Sequence, residues 1–263
     1  MSKKLGLALG SGGARGVAHA GFLLALEEEG IKPAFISGCS MGAVVGGVYA
    51  SGVSAEKMHE AVLKLKKRDI ISLNPAAITQ MSILRSGKVR DLLTAHLAVK
   101  NIEDFPIKFS CVATDVLSGG MHLFTEGDAA FAIQASSTIP AVFRPVKLGD
   151  KLLVDGGCVC RVPIDTVKAM GADVVIAVDV LKNCSQPIDD VNNIVSMVLR
   201  VFDIMDAHNS ALRYERDRDM CDLLIEPEMK GMSQYVIKDL DRAFEEGYAA
   251  ARDNMQRIKE LLD

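Results

Sequence analysis

The sequence predicts an α/β fold, a mostly parallel sheet sandwiched by helices in three layers, with a helical C-terminal extension. Three observations predict it. Short apolar runs of strand length recur at Leu5 to Leu9, at "PAFISGCS" (residues 33 to 40) and at "DVVIAVDV" (173 to 180). Stretches with apolar residues at helical spacing alternate with them. Glycine-rich turns then join strand ends to helix starts, at Gly10 to Gly16 and at Gly38 to Gly42. Strand, turn and helix in that repeated order is the pattern of parallel strands joined by crossing helices.

Taken in order, Leu5 to Leu9 is a buried strand running into the first glycine loop. "ARGVAHAGFLLALEEEGI" (14 to 31) is a helix, because Val17, Ala20, Gly21, Leu24 and Ala25 share a face and Gly30 stops it. "MGAVVGGVYASG" (41 to 52) is a helix of small residues closed by Gly52. Ser54 is a suitable N-cap for the next helix, with Met58, Ala61, Val62 and Leu65 on one face. Residues 70 to 103 are looser, with Pro75, Gly87 and short helices. "IKFSCVATDV" (107 to 116) and "MHLFTEG" (121 to 127) are strands paired around "LSGG". "AAFAIQASSTI" (129 to 139) is a buried helix, "KLLVDGG" (151 to 157) a strand entering a glycine turn, and "VPIDTVKAMGA" (162 to 172) a helix with Pro163 near its start.

The character changes after about residue 182, which divides the chain into an α/β domain over 5 to 180 and a mainly helical extension over 181 to 263 packed on it. Residues 188 to 219 are a long amphipathic helix, "CDLLIEPEM" (221 to 229) a strand, and 239 to 263 a charged amphipathic helix. The apolar faces of these helices are expected to pack on the sheet or on one another, with lying on a membrane or dimerising as the alternative. "MVLRVFDIM" (197 to 205) is expected to be core, or else the lining of an acyl-chain pocket.

Composition bounds the function. Of 263 residues, 49% are hydrophobic and 24% charged, with a net charge of -4. That suits a globular chain with a large core and gives no long-range attraction to nucleic acid. The basic run "KLKKRD" (64 to 69) is expected to be a solvated helix end, with a contact to anionic lipid as the sharper reading. The six cysteines form no C-x-x-C, so they are expected to be reduced core residues in a cytoplasmic protein, with no metal and no cofactor. The N-terminal apolar run is cut by Ser11, Gly12, Gly13, Arg15 and His19, which spoils a secretory signal. No run reaches the length of a membrane span, so any membrane contact is expected to be peripheral.

The chemistry sits in the glycine turns. Gly38-Cys39-Ser40-Met41-Gly42 places a serine in a G-x-S-x-G frame between a strand and a helix, the setting of a nucleophile elbow. The earlier loop fails both nucleotide fingerprints, since no Gly-Lys-Ser/Thr follows and the third glycine of G-x-G-x-x-G falls on Arg15 or the first on Ser11. It suits an oxyanion hole better, with backbone N–H groups of Gly12, Gly13 and Ala14 at a helix start. Arg15 stiffens that loop, adds positive potential, or forms a surface ion pair.

A serine nucleophile needs a base. His19 is expected to be structural, His59 and His96 lie on exposed helical faces, and His122 lies beside a turn. His208 has the right chain order for an α/β-hydrolase but falls inside a helix. Asp155 fits better, because "LLVDGG" ends a buried strand where open α/β sheets place their sites, and burial raises a carboxyl's pKa toward the range of a base.

These pieces together resemble the patatin-like phospholipase family, and its bacterial single-domain members in particular. The matching stretches are "GSGGARG" (10 to 16), "GCSMG" (38 to 42), "CVATDVLSGG" (111 to 120), "ASSTIPAVFRPV" (135 to 146) and "DGG" (155 to 157), spread over about 5 to 180. The resemblance implies a histidine-free dyad of Ser40 and Asp155 and an oxyanion hole at Gly12, Gly13 and Ala14. Arg15, Gly16, Gly38, Gly42, Gly156 and Gly157 support the motifs. It implies hydrolysis of acyl esters in lipids by a phospholipase, lysophospholipase or carboxylesterase, without a metal. Three departures stand out: Ser11 where members often carry glycine, Cys39 for the usual threonine, and Cys160-Arg161 for the frequent Asn-Pro. The alternatives are a Ser40-His208 hydrolase and a catalytically silent binder of lipid or nucleotide.

Overall fold

The computed structural model describes residues 3–64, 87–181, 191, 193–236 and 238–263. Most of the basic run (65 to 69), the looser stretch from 70 to 86 and Cys184 lie outside the described residues. Within them, one sheet of eight strands forms: β1 (Leu5–Leu9), β2 (Phe35–Cys39), β3 (Lys108–Asp115), β4 (Met121–Phe124), β5 (Val146–Leu148), β6 (Lys151–Asp155), β7 (Val174–Val178) and β8 (Leu223–Ile225). Hydrogen bonding follows the path β5-β6-β3-β2-β1-β7-β8, with β4 also on β3. The run β3-β2-β1-β7-β8 is parallel throughout, and β4, β5 and β6 are antiparallel to their partners.

The helices are α1 (Ala18–Glu28), α2 (Met41–Ala50), α3 (Ala55–Lys64), α4 (Gly87–His96), α5 (Ala129–Ser136), α6 (Ile164–Ala169), α7 (Ile194–Asp217), α8 (Leu240–Asp253) and α9 (Met255–Leu262). The alternation of strand side chains decides the layers. Leu5, Leu7 and Leu9 of β1 join Ile36, Ile176 and Val178 in the larger core, under Phe22, Leu23 and Leu26 of α1 and Phe244 of α8. Ala8, Val175 and Ala177 point the other way and pack on Ile164 and Val167 of α6. Helices therefore cover both faces of the sheet, which is the three-layer α/β class read from the sequence. The residues after 181 add β8 to the sheet, and α8 packs against α1.

The elements end where local chemistry ends them. Asp128 caps α5 by accepting the Phe131 N–H at 2.8 Å. Asn193 and Ser196 form a reciprocal capping box that starts α7 at Ile194; residues 188 to 190 and 192 of the expected helix lie outside the described residues. Asn254 interrupts the C-terminal helix, giving α8 and α9 where one helix was expected.

One expectation is overturned. The apolar face of α7 does not pack inward: Ile194, Met197, Val201, Ile204 and Met205 are exposed, and the buried residues of this helix are Asp206, Ser210 and Asp217. "MVLRVFDIM" thus carries its two methionines to the surface rather than into the core. The reason lies beneath the helix, where Arg161 and Asp179 offer ionic partners to its polar side. No helix among the described residues is long and apolar enough to cross a membrane.

Candidate active site

Strand register brings Ser40 and Asp155 together. Thr114 of β3 pairs with both Met121 of β4 and Val154 of β6, so those strands lie on opposite sides of β3. Cys111 and Val112 likewise pair with β4 on one side and β2 on the other. Hence β2 and β6 share one side of β3, end to end. The consecutive residues Val112 and Ala113 pair with Cys39, the end of β2, and Asp155, the end of β6. Since β2 is parallel to β3 and β6 antiparallel, their C-terminal ends converge. Ser40 Oγ donates to Asp155 Oδ2 at 2.6 Å.

The serine sits in a strained turn. Ser40 has φ 51° and ψ -118°, an uncommon backbone for a side-chain-bearing residue that must be enforced by its surroundings. The two glycines of the frame make this close turn feasible. A Cβ at Gly38 would lie 2.5 Å from the Gly42 carbonyl oxygen, and one at Gly42 would lie 2.2 Å from that of Leu9. Ser136, at the end of α5, completes the support. Its hydroxyl accepts the Ser40 N–H at 3.0 Å and donates to the Val112 carbonyl at 2.6 Å. Sequence reading missed Ser136, although it lies in the quoted "ASSTIP" stretch.

Asp155 is fixed on three sides. Its N–H donates to the Thr138 carbonyl at 2.8 Å, its carbonyl accepts Thr114 Oγ1 at 2.9 Å, and its Oδ1 accepts the Gly157 N–H at 2.9 Å. Gly156 and Gly157 open the short 3-10 turn after β6, with the Gly156 Cα against the Val112 carbonyl. Only 3% of Asp155 and 6% of Ser40 are exposed. Burial pushes the Asp155 carboxyl up to about 6, against the hydrogen bonds from Ser40 and Gly157, which favour the carboxylate. The serine therefore faces a carboxyl poised just below neutrality.

The first glycine loop leads from β1 into a 3-10 turn, Gly13–Val17, ahead of α1. Its Gly10 and Ser11 amides are bonded to the Val178 and Arg161 carbonyls. The Ala14 N–H donates to the Gln234 carbonyl at 2.9 Å. Gly12 and Gly13 precede it, and Gly16 packs its Cα toward the Met41 side chain. Arg15 is buried, which removes the surface-ion-pair reading. Its Nε donates to the Met232 carbonyl at 2.9 Å and Nη2 donates to the same oxygen, tying the loop to the C-terminal region.

The histidines fall elsewhere. His19 is fully buried and its Nε2–H donates to the Gly10 carbonyl at 2.8 Å, since a carbonyl can only accept. Burial lowers its pKa to about 4, so it is neutral. His59 stacks on Phe244 with ring centroids 3.7 Å apart rather than standing exposed. His96 caps its own helix at the Leu92 carbonyl, and His122 Nδ1 accepts from Lys151. His208 is exposed on α7.

The departures have structural partners. Cys39, Cys160 and Val112 form a small buried cluster beneath the serine turn, so two of the unusual residues pack on each other. All five described cysteines are free, and burial raises the Cys160 thiol to about 12 and the Cys39 thiol well above its ordinary value. Arg161 is buried and donates to Asp179 Oδ2 at 2.8 Å and to Asp206 Oδ2 at 3.0 Å, with Tyr214 also donating to Asp179. This network, invisible in sequence, pins α7 to the strand ends behind Ser40 and Asp155.

Comparison with known proteins bears on the family and the fold. The pattern of the patatin-like phospholipase family matches residues 7–168. An NTE family protein of Mycobacterium tuberculosis is 38% identical over 217 residues, covering 79% of this chain and 60% of that protein. The lysophospholipase NTE1 of Yarrowia lipolytica is 31% identical over 185 residues, covering 67% of this chain and 12% of that much longer protein. The chain thus spans under two thirds of the length of these relatives. Among solved structures, VipD from Legionella pneumophila superposes with a TM-score of 0.57 at 12% identity, covering 97% of this chain and 67% of that one. That likeness concerns fold alone. With the family pattern running from β1 through α6 and across both glycine turns, the chain belongs to the patatin-like phospholipase family.

Proposed function

We propose that this protein is a serine acyl hydrolase acting on carboxylic esters of lipids through a dyad of Ser40 and Asp155. The observation that carries the reading is the 2.6 Å hydrogen bond between Ser40 Oγ and Asp155 Oδ2, inside a buried strand-end junction. Asp155 takes the hydroxyl proton as Ser40 Oγ bonds to the ester carbonyl carbon. The resulting tetrahedral oxyanion is held by backbone N–H groups of the glycine loop. Of the three amides, that of Ala14 is already given to Gln234, so Gly12 and Gly13 are assigned the larger share. Collapse breaks the bond to the leaving alkoxide, which takes the proton from Asp155. Water, deprotonated by Asp155, then attacks the acyl carbon; the bond to Ser40 Oγ breaks, Oγ takes the proton back from Asp155, and the fatty acid is released.

The family and the lysophospholipase relative support a lipid ester as substrate class. A fluorophosphonate probe tests the nucleophile, and p-nitrophenyl ester hydrolysis tests the dyad. The expected result is covalent labelling at the Ser40 peptide and loss of turnover by at least about a thousandfold in Ser40→Ala and Asp155→Asn. Unlabelled Ser40 with no turnover in the native protein means that this is a binding protein, and wild-type rates in both variants mean that another centre does the hydrolysis. Loss in His208→Ala with Asp155→Asn only impaired points to a serine-histidine pair instead.

A further inference from the structure

We propose that the outer face of α7 is the surface that seats this protein on a lipid interface. The choice of occupant rests on the hydrolase reading above; the surface itself rests on geometry. At 3.6 residues per turn, Ile194, Met197, Val198, Val201, Ile204 and Met205 fall within an arc of about 120°. Their exposure runs from 41% for Val198 to 82% for Ile194, and Leu212 extends the stripe at 62%. The opposite side of the helix is polar and turned inward. Asp206 is bound to Arg161, Arg213 to Asp165, Tyr214 to Asp179, and Asp203 to Gln234. An amphipathic helix on a globular protein ordinarily presents the reverse arrangement. Here ion pairing holds the helix down and the hydrophobic stripe is left outside, at a solvation cost that a nonaqueous neighbour would remove.

The position of this face fits a lipid. Phe202 of α7 reaches within 3.5 Å of where a Cβ on Gly157 would stand, so the helix lies beside the dyad turn. Asp203 holds the side chain of Gln234, whose carbonyl holds the glycine loop at Ala14. A second exposed apolar element stands at the same end of the parallel strands. β3 runs parallel to β2, so the turn after Asp115 projects from the end where Ser40 lies, and Val116 and Leu117 there are 51% and 69% exposed.

The chemistry of the stripe favours lipid over a second protein. It is aliphatic and thioether throughout, without the Trp, Tyr or Arg anchors that dominate protein interfaces. Flexible aliphatic chains suit insertion among acyl tails. The net charge of -4, with the cations Arg161 and Arg213 committed to internal carboxylates, points to apolar insertion rather than attraction to anionic headgroups. The attachment therefore needs no anionic lipid and resists salt.

The test compares the native sequence with the triple variant Val201→Ser, Ile204→Ser, Met205→Ser. All three positions are exposed, so the fold is retained, and none touches the dyad. Three readouts are taken: co-sedimentation with phosphatidylcholine vesicles, hydrolysis of the soluble ester p-nitrophenyl butyrate, and sedimentation equilibrium without lipid. Native protein is expected to bind vesicles equally with and without about 0.5 M NaCl. The triple variant is expected to partition about a hundredfold more weakly while hydrolysing the soluble ester at the native rate. Unchanged partition of the variant overturns the proposal. So does a native dimer that the variant dissociates while neither binds vesicles, which makes a second copy the occupant. Vesicle binding needs no turnover. Native protein that binds vesicles through this face yet hydrolyses no ester upholds the docking surface and sinks the hydrolase reading alone.

Discussion

Asp155 carries two opposing demands. In its proposed role as base it must give up its proton near neutrality, and as a buried carboxyl it resists doing so. With its pKa raised to about 6, kcat/KM for a soluble ester is expected to rise with pH and level off above that value. A pH profile flat between 5 and 8 contradicts the assignment of Asp155 as the base. Stability runs the other way. The folded state holds this proton more tightly than the unfolded chain, so the associated stabilisation is complete below about pH 4 and lost as pH rises through 6. Asp155→Asn keeps an acceptor for the Gly157 N–H and offers an amide donor to Ser40. It is expected to gain up to about 3 kcal/mol at pH 8, with the gain vanishing near pH 4. Urea denaturation at the two pH values measures it. Ser40 and Asp155, which the structure joins by a hydrogen bond, could be singled out in the sequence because each lies in a short motif at a strand end. Ser136 could not, since it acts on Ser40 across 96 residues of chain and carries no local signature of that bond.

At the scale of elements, two junctions hold the fold around the site. Arg161 lies between Asp179 and Asp206 with all three buried, so removing the cation leaves two carboxylates without their counterion. Arg161→Ala is expected to cost about 3 to 5 kcal/mol at pH 8 and less at pH 5, where protonation of Asp206, whose carboxyl burial pushes up to about 6, relieves part of the defect. A pH-independent loss would show that packing rather than charge dominates there. The second junction is the crossing of α1 and α8. A Cβ on Gly21 would fall 2.0 Å from the Phe244 carbonyl oxygen, and one on Gly247 would fall 1.9 Å from that of Ala18. Gly247→Ala must push the helices apart, and a loss of about 1 to 3 kcal/mol in chemical denaturation is expected despite alanine's better helix propensity. Strands and helices with full-length patterns were readable. The three-residue β5 was not, because "VKL" has too few positions to show an alternation. The facing of α7 was misread for a physical reason. Periodicity reports that a helix has an apolar side, but ionic partners from distant segments decide which side turns inward.

For the molecule as a whole, the C-terminal third supports the candidate site laid down by the first 160 residues. The segment after β8 buries Met229 and Met232 and presents two carbonyls to the glycine loop, one to Arg15 and one to Ala14. Nothing in the spacing of "GSGGARG" signals this dependence, because both acceptors are backbone groups more than 200 residues away. The coupling makes a prediction distinct from any local role for Arg15. Arg15→Ala removes the guanidinium from the Met232 carbonyl while leaving every atom of the proposed dyad in place. Amide hydrogen exchange at Ala14 and across 229 to 236 is expected to accelerate together, because both sides of the clamp lose the same tie. Fluorophosphonate labelling of Ser40 is expected to slow by about tenfold or more, since a loosened loop holds the developing oxyanion less well. Arg15→Lys retains the charge but not the two-point contact to one oxygen, and is expected to fall between. Exchange that rises at Ala14 alone would show that the loop and the C-terminal segment are not coupled. Labelling at the native rate despite faster exchange at both would remove the glycine loop from the rate-determining step.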